Sequence, residues 1–225
     1  MANLYIVATP IGNLEDLTFR AARVLKDVSL VLCEDTRQTK KLLEHYQIDT
    51  PTLSYHQHSK INKINLIIDK LYQGKDIALV SDSGSPGISD PGNYLVSKVV
   101  SESGEKIKII PIPGPSAVTA LASVSGLPTD RFLFLGFLPH KKGRQTLIKE
   151  IINSSRTVLL YESTHRIDKL LDELINNGVA KRQLVVGREL TKKFETIYRG
   201  TAEEIKEKLG QGSSKGEFTI VIEKK

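Results

Sequence analysis

The segment Ser81-Asp82-Ser83-Gly84-Ser85-Pro86-Gly87-Ile88-Ser89-Asp90-Pro91-Gly92 carries the most chemical information in the chain. It follows a short apolar run, at the carboxyl end of an expected strand, where open α/β sheets hold their ligands. Its glycines let the backbone approach a ligand closely, and Pro86 and Pro91 restrict its path. Asp82, Ser85, Ser89 and Asp90 can satisfy a polar, partly cationic molecule. The competing reading is a long structural turn whose Ser and Asp side chains cap the next helix. Pro113-Gly114-Pro115-Ser116 is a shorter, rigid turn whose Ser116 either caps the following helix or touches a ligand.

Several cofactor chemistries are excluded by what is missing. There is no G-x-x-x-x-G-K-[ST], so a P-loop is not expected, and no G-x-G-x-x-G follows the first strand. His56 and His58 are near neighbours, but no further His cluster supports a metal site, and a solvent-exposed polar loop is the better reading of that pair. No metal is expected. The single cysteine, Cys33, rules out an intrachain disulfide and a Cys-based zinc cage.

These segments need elements to position them. The 225 residues include 32 Lys plus Arg and 26 Asp plus Glu, a net charge of +6, with 40% apolar and 26% charged residues. That is the composition of a folded globular chain long enough for two domains. The N-terminal residues lack the basic and apolar regions of a signal peptide, and with the lone cysteine this points to a reducing cytoplasm. Residues 109–129 carry no charge and could in principle span a bilayer, but Pro111, Pro113, Gly114 and Pro115 break them. They read as a buried strand, a tight turn and a buried helix. No membrane partner is expected.

Short β-branched runs alternate with helical patterns, the signature of an α/β fold. Strands are expected at 4–8, 29–32, 77–80 and 107–112, with helices at 20–26, 36–46 and 61–71 between them. Past residue 116 the expected strands are 132–137, 157–161, 183–189, 195–198 and 218–222, with helices at 144–153, 165–176 and 202–209. The first half reads as largely parallel and the second as mixed or antiparallel. A boundary at Pro113–Ser116 gives two α/β domains, 1–115 and 116–225.

Taken together, Val7-Ala8-Thr9-Pro10-Ile11-Gly12-Asn13-Leu14, Glu34-Asp35-Thr36-Arg37, the 81–92 loop, Pro113-Gly114-Pro115-Ser116-Ala117, Gly136-Phe137-Leu138-Pro139, Tyr161-Glu162-Ser163-Thr164-His165-Arg166 and Arg188-Glu189-Leu190-Thr191-Lys192 resemble one family in order and spacing. It is the ribosomal RNA small subunit methyltransferase I family, of the tetrapyrrole methylase-like superfamily. The resemblance implies S-adenosyl-L-methionine bound in a cleft between two α/β domains, a homodimer, and 2'-O-methylation of a cytidine in 16S ribosomal RNA near the decoding site, met free or within the small ribosomal subunit. Many members continue into a C-terminal helical segment past the position of Lys225, and Cys33 stands where alanine is common.

By the same resemblance Pro10, Gly84, Ser85, Pro86 and Ile88 line the cofactor site from the first domain. Ser116 and Ala117 meet it at the hinge, and Tyr161, Glu162, Val186, Arg188, Phe218 and Thr219 complete it. The sulfonium already makes its methyl electrophilic, so the protein must align the nucleophile and exclude water. A ribose hydroxyl is a poor nucleophile and calls for a nearby base or cation. Candidates are Glu34, Asp35, Glu162, His165, Glu189 and Lys192, with Asp35 and Arg37 open to a plainer role capping and pairing at a helix start. Basic clusters at Arg37/Lys40/Lys41, His140-Lys141-Lys142-Gly143-Arg144 and Lys192-Lys193 suit RNA phosphates at Arg37, Lys40, Lys141, Lys142, Arg144 and Lys193. Two other readings remain open: a methyltransferase acting on a small tetrapyrrole, and a non-catalytic RNA- or protein-binding module.

Overall fold

The computed structural model describes residues 2–56, 61–90, 92–179, 181–212 and 215–225. His58 and Pro91 lie outside them. The chain divides into two compact units, Met1–Ser116 and Ala117–Lys225.

In the first unit, strands β1 (Ala2–Val7), β2 (Leu30–Cys33), β3 (Thr52–Ser54), β4 (Ile77–Val80) and β5 (Ile107–Ile112) form one sheet in the order β3-β2-β4-β1-β5. Every pairing between these strands is parallel. Strand alternation sends Val7, Val31, Cys33, Ala78 and Val80 to one face, against Ala21, Val24 and Leu25 of α1 (Phe19–Asp27) and Leu42 and Leu43 of α2 (Thr36–His45). Leu4, Leu32, Ile77 and Leu79 go to the other, against α3 (Ile61–Tyr72) and α4 (Gly92–Ser103). A parallel sheet covered on both faces aligns the carboxyl ends of its strands, so the loops after β1, β2, β4 and β5 emerge along one edge.

Local chemistry starts the helices. Thr18 Oγ1 accepts the Ala21 N–H at 3.0 Å to cap α1, and Asp35 accepts the Arg37 N–H at 2.8 Å to cap α2. Neither β3 nor α4 was expected from the sequence. β3 is three residues long, and α4 buries only Leu95, Val99 and Ser103 besides its first residue, too narrow a stripe to read amid its β-branched and Ser residues. The expected buried strand before residue 113 is corrected: β5 is an edge strand with Lys108 and Pro111 exposed. An edge is where a strand tolerates the missing N–H of proline. Among the described residues no helix is long and apolar enough to cross a membrane.

The second unit begins with α5 (Ala117–Ser125) and holds β6 (Phe132–Phe137), α6 (Arg144–Asn153), β7 (Thr157–Ser163), α7 (Ile167–Leu174), β8 (Leu184–Arg188), β9 (Thr196–Gly200), α8 (Ala202–Gly210) and β10 (Glu217–Ile222). Its sheet runs β6-β7-β10-β8-β9, with β6 parallel to β7 and the other pairs antiparallel. One face, carrying Val158, Leu160, Val186, Ile220 and Ile222, packs on α6, α7 and α8. The opposite face meets α5, where a Cβ on Gly187 would come within 2.8 Å of Leu121 Cδ1.

Candidate active site

At the carboxyl edge of the first sheet the 81–92 loop is held by its own backbone. Thr9 and Gly84 exchange N–H···O bonds of 2.9 and 3.1 Å, and the hydroxyls of Thr9 and Ser81 donate to Ser81 O and Gly84 O, each at 3.0 Å. Gly84 adopts φ +79, a left-handed conformation that glycine takes without strain. Asp90 Oδ1 accepts the N–H groups of Gly87 and Gly92 at 2.5 and 2.8 Å, and Asn93 Nδ2 donates to Gly87 O at 2.8 Å. Asp90 therefore serves the loop. The loop exposes Asp82, Ser83, Ile88 and Ser89, with Ile88 53% exposed, while Ser85 is half-buried and Pro86 buried; Pro10 and Ser116, from the segments after β1 and β5, are also half-buried.

Three carboxylates meet beside it. Asp82 Oδ1 accepts the Asp35 N–H at 3.1 Å, tying the loop after β4 to the loop after β2. Glu34 is half-buried, and its carboxyl is pushed up first by burial and then by the charges of Asp82 and Asp90. Asp35 goes the other way. The Arg37 guanidinium and the Arg37 N–H hold it down to about 2, so the plainer reading of Asp35 as helix cap and ion-pair partner is the correct one, and it is a poor base. Arg37 is exposed but already paired to Asp35, and Lys40 is exposed on α2.

In the second unit strand alternation sorts the expected residues onto two faces. Tyr161, Thr219 and Gly187 lie side by side across β7, β10 and β8, and Glu162, Phe218 and Arg188 form the next row, facing the other way. Phe218 and Val186 are in the hydrophobic core, so the expectation that they line a ligand is corrected: their side chains face α6, α7 and α8. Glu162 is fully buried and is corrected too. Its Oε1 takes the Ser163 N–H and Arg166 Nε at 2.8 Å each, and its Oε2 lies 3.4 Å from Arg144 Nη1. Arg144, expected to touch RNA, is 2% exposed and pairs with Glu173 at 2.7 Å as well as with Glu162. An arginine closed in between two carboxylates is not a phosphate contact.

The chemistry at the end of β8 is an ion-paired knot. Lys192 Nζ bonds Glu189 and Glu217 at 3.0 Å each. Burial works against the Lys192 charge, but the two carboxylates outweigh it and its ammonium is held above the ordinary range. Burial likewise raises Glu189, yet the Glu217 N–H and Lys192 leave its carboxyl net lowered. Arg188 Nε donates to Lys215 O at 2.6 Å. His165 is exposed in the turn before α7, Lys141, Lys142 and Lys193 are exposed, and Ala117 opens α5.

Residues 3–206 match the family of tetrapyrrole (corrin/porphyrin) methylases. The chain belongs to this family. Within it the chain is 47% identical over 98% of its length to the ribosomal RNA small subunit methyltransferase I of Halalkalibacterium halodurans, covering 75% of that protein. It is 47% identical over 99% of its length to the protein of the same name from Synechocystis sp., covering 79% of it. A solved uroporphyrin-III C-methyl transferase from Thermus thermophilus, complexed with S-adenyl homocysteine, is 18% identical with a TM-score of 0.67, covering 99% of this chain and 97% of that one. That likeness shows the fold.

The tetrapyrrole methylase fold thus carries two features here that sequence motifs did not single out. One is the buried Arg144–Glu162–Arg166 cluster. The other is an aromatic group on β6 and β7, where Tyr161 packs its ring 5.2 Å from Phe134 and 5.3 Å from Phe137. The signal for it is present in the sequence as Phe132, Phe134 and Phe137 around Gly136.

Proposed function

We propose that this chain transfers a methyl group from S-adenosyl-L-methionine to the 2'-hydroxyl of a cytidine ribose in 16S ribosomal RNA, acting as a cytoplasmic homodimer on the small subunit. The observation that carries this reading is the 47% identity, over nearly the whole chain, to relatives named ribosomal RNA small subunit methyltransferase I.

The first unit's residues fit such a cofactor in kind. Pro10 and Ile88 offer apolar surface, Ser85 and Ser116 hydroxyls, and the carboxylates of Glu34 and Asp82 a negative field that suits a cationic sulfonium. When bound, the cofactor supplies a methyl group bearing a good leaving group. The chain has to hold the ribose oxygen in line, exclude water and take the hydroxyl proton as the O–C bond forms and the S–C bond breaks. Among the four carboxylate candidates Glu34 suits proton acceptance best. Asp35 is too acidic, Glu162 is enclosed by arginines, and Glu189 is made a weaker base by the Glu217 N–H and Lys192.

The function is tested by labelled methyl transfer to small subunits from cells lacking the modification, which must occur with wild type. Glu34 is tested by E34Q. A base whose pKa is raised loses activity as pH falls through that raised value. E34Q should abolish this acid limb and lower kcat by roughly 10²–10⁴. An E34Q enzyme within threefold of wild type would remove Glu34 from this role.

A further inference from the structure

Strand β6 forms one edge of the second sheet, and its outward chemistry is not that of a solvated edge. Leu133 and Leu135 pack on the core, which sends Phe132 and Phe134 to the opposite face. Phe137 belongs by simple alternation with the leucines. It does not go there, because the β6–β7 register slips by one residue: Phe134 pairs with Leu159 and Phe137 with Tyr161. This bulge, passing through Gly136 at φ +60, returns Phe137 to the face of Phe134 and places both rings on Tyr161. Phe137 remains 51% exposed and Phe132 39% exposed. An unpaired apolar edge is a liability unless something covers it.

Cations flank this aromatic row at both ends. Beyond Phe137 come Lys141 and Lys142, both exposed. Before Phe132, the side chains of Arg131, Arg156 and Lys224, with Asp130, line an open cavity of about 350 Å³. The basic loop is also anchored. Arg166 Nη1 donates to Leu138 O at 2.7 Å and Arg144 Nη1 to Pro139 O at 3.4 Å, so the buried Glu162 cluster fixes the backbone from which the lysines project.

We propose that the β6 edge is a track for single-stranded RNA, with Phe137 backed by Tyr161 as a stacking platform for an unpaired base and Lys141 and Lys142 neutralising adjacent phosphates. This rests on the reading of the substrate as RNA and adds where an unpaired strand is gripped. Exposed rings flanked by cations match an unstacked nucleotide chain, whose bases have π faces and whose backbone is anionic.

The test is binding of labelled oligocytidylate roughly a dozen nucleotides long, and of small subunits, across a salt series. Phe137→Ala should weaken binding about tenfold or more, as losing one stacked base does. Its salt slope should match wild type, because no counterion is involved. The Lys141→Ala/Lys142→Ala double variant should flatten the slope by roughly one and a half units. Phe137→Trp should restore affinity. Superimposable wild-type and F137A isotherms overturn the platform. So does sedimentation in which F137A converts a dimer to a monomer, which would make the edge an interface between copies. If wild type binds RNA through Phe137 yet methylates no subunit, the track stands and the function proposed above fails.

Discussion

Glutamine at position 162 is the most telling perturbation of the second unit. The cluster holds two carboxylates, Glu162 and Glu173, and two guanidinium groups, Arg144 and Arg166, so it is neutral. Side-chain exposures are 0% for Glu162, 3% for Arg144, 13% for Glu173 and 14% for Arg166. Glu162→Gln keeps the shape and removes one charge, leaving a net positive charge where water cannot screen it. Removing one partner of a buried pair costs about 3–5 kcal/mol. The lower end applies here, because Arg144 keeps Glu173 at 2.7 Å and Arg166 is partly solvated. With a urea dependence of about 2 kcal/mol/M, the unfolding midpoint should fall by roughly 1.5 M. The assay is urea unfolding followed by tyrosine fluorescence. The double variant Glu162→Gln/Arg144→Met removes one charge of each sign and should recover much of the loss, since apolar replacement of buried ion pairs is often neutral. A midpoint for Glu162→Gln within about 0.3 M of wild type, well under the cost of a broken buried pair, would refute the reasoning.

Two further outcomes follow from the first unit. Gly84→Val forces a β-branched residue to φ +79, where the nearest atoms, Ile11 Cγ2 and Pro115 O, are 3.5 and 3.7 Å from a Cβ. The cost is therefore backbone strain of roughly 1–2 kcal/mol rather than a clash, so the unit should fold while S-adenosylmethionine affinity measured by calorimetry drops tenfold or more; unchanged affinity would detach this loop from the cofactor. Cys33 is buried, and desolvation pushes its thiol up, so a disulfide reagent should label it only at the rate of unfolding. Labelling at a rate independent of denaturant would contradict that burial.

The sheet strands were legible because their β-branched or aromatic runs are short, and the 77–80, 107–112 and 132–137 spans coincide with β4, β5 and β6. Parallel and mixed sheets separated for a similar reason: a helix intervenes between every pair of successive strands in the first unit, whereas β8 and β9 of the second are joined without one. What stayed hidden depends on tertiary partners. β3 is an edge strand whose three residues are defined by pairing with β2, and nothing within 52–54 announces it. α4 is helical although Tyr94, Val96, Val99 and Val100 favour strands, because Leu95 and Val99 fill the face of the sheet beside α3.

The site was legible as positions along strands, not as faces. Motif resemblance put Tyr161, Glu162, Phe218 and Thr219 together, while pleating sends Tyr161 and Thr219 one way and Glu162 and Phe218 the other. The periodicities to separate them were in the chain. Glu162 follows Val158 and Leu160 at steps of two, so it belongs to their face, and Arg144 precedes Ile148 and Ile151 at helical spacing, so it belongs to the buried stripe of α6. A charged residue on an apolar stripe is costly to bury alone and tolerable when paired. Two such residues of opposite sign in one unit therefore point to each other. The cationic run at 140–144 divides on spacing alone: Arg144 faces the core, and only Lys141 and Lys142, with His140, are left for a phosphate chain.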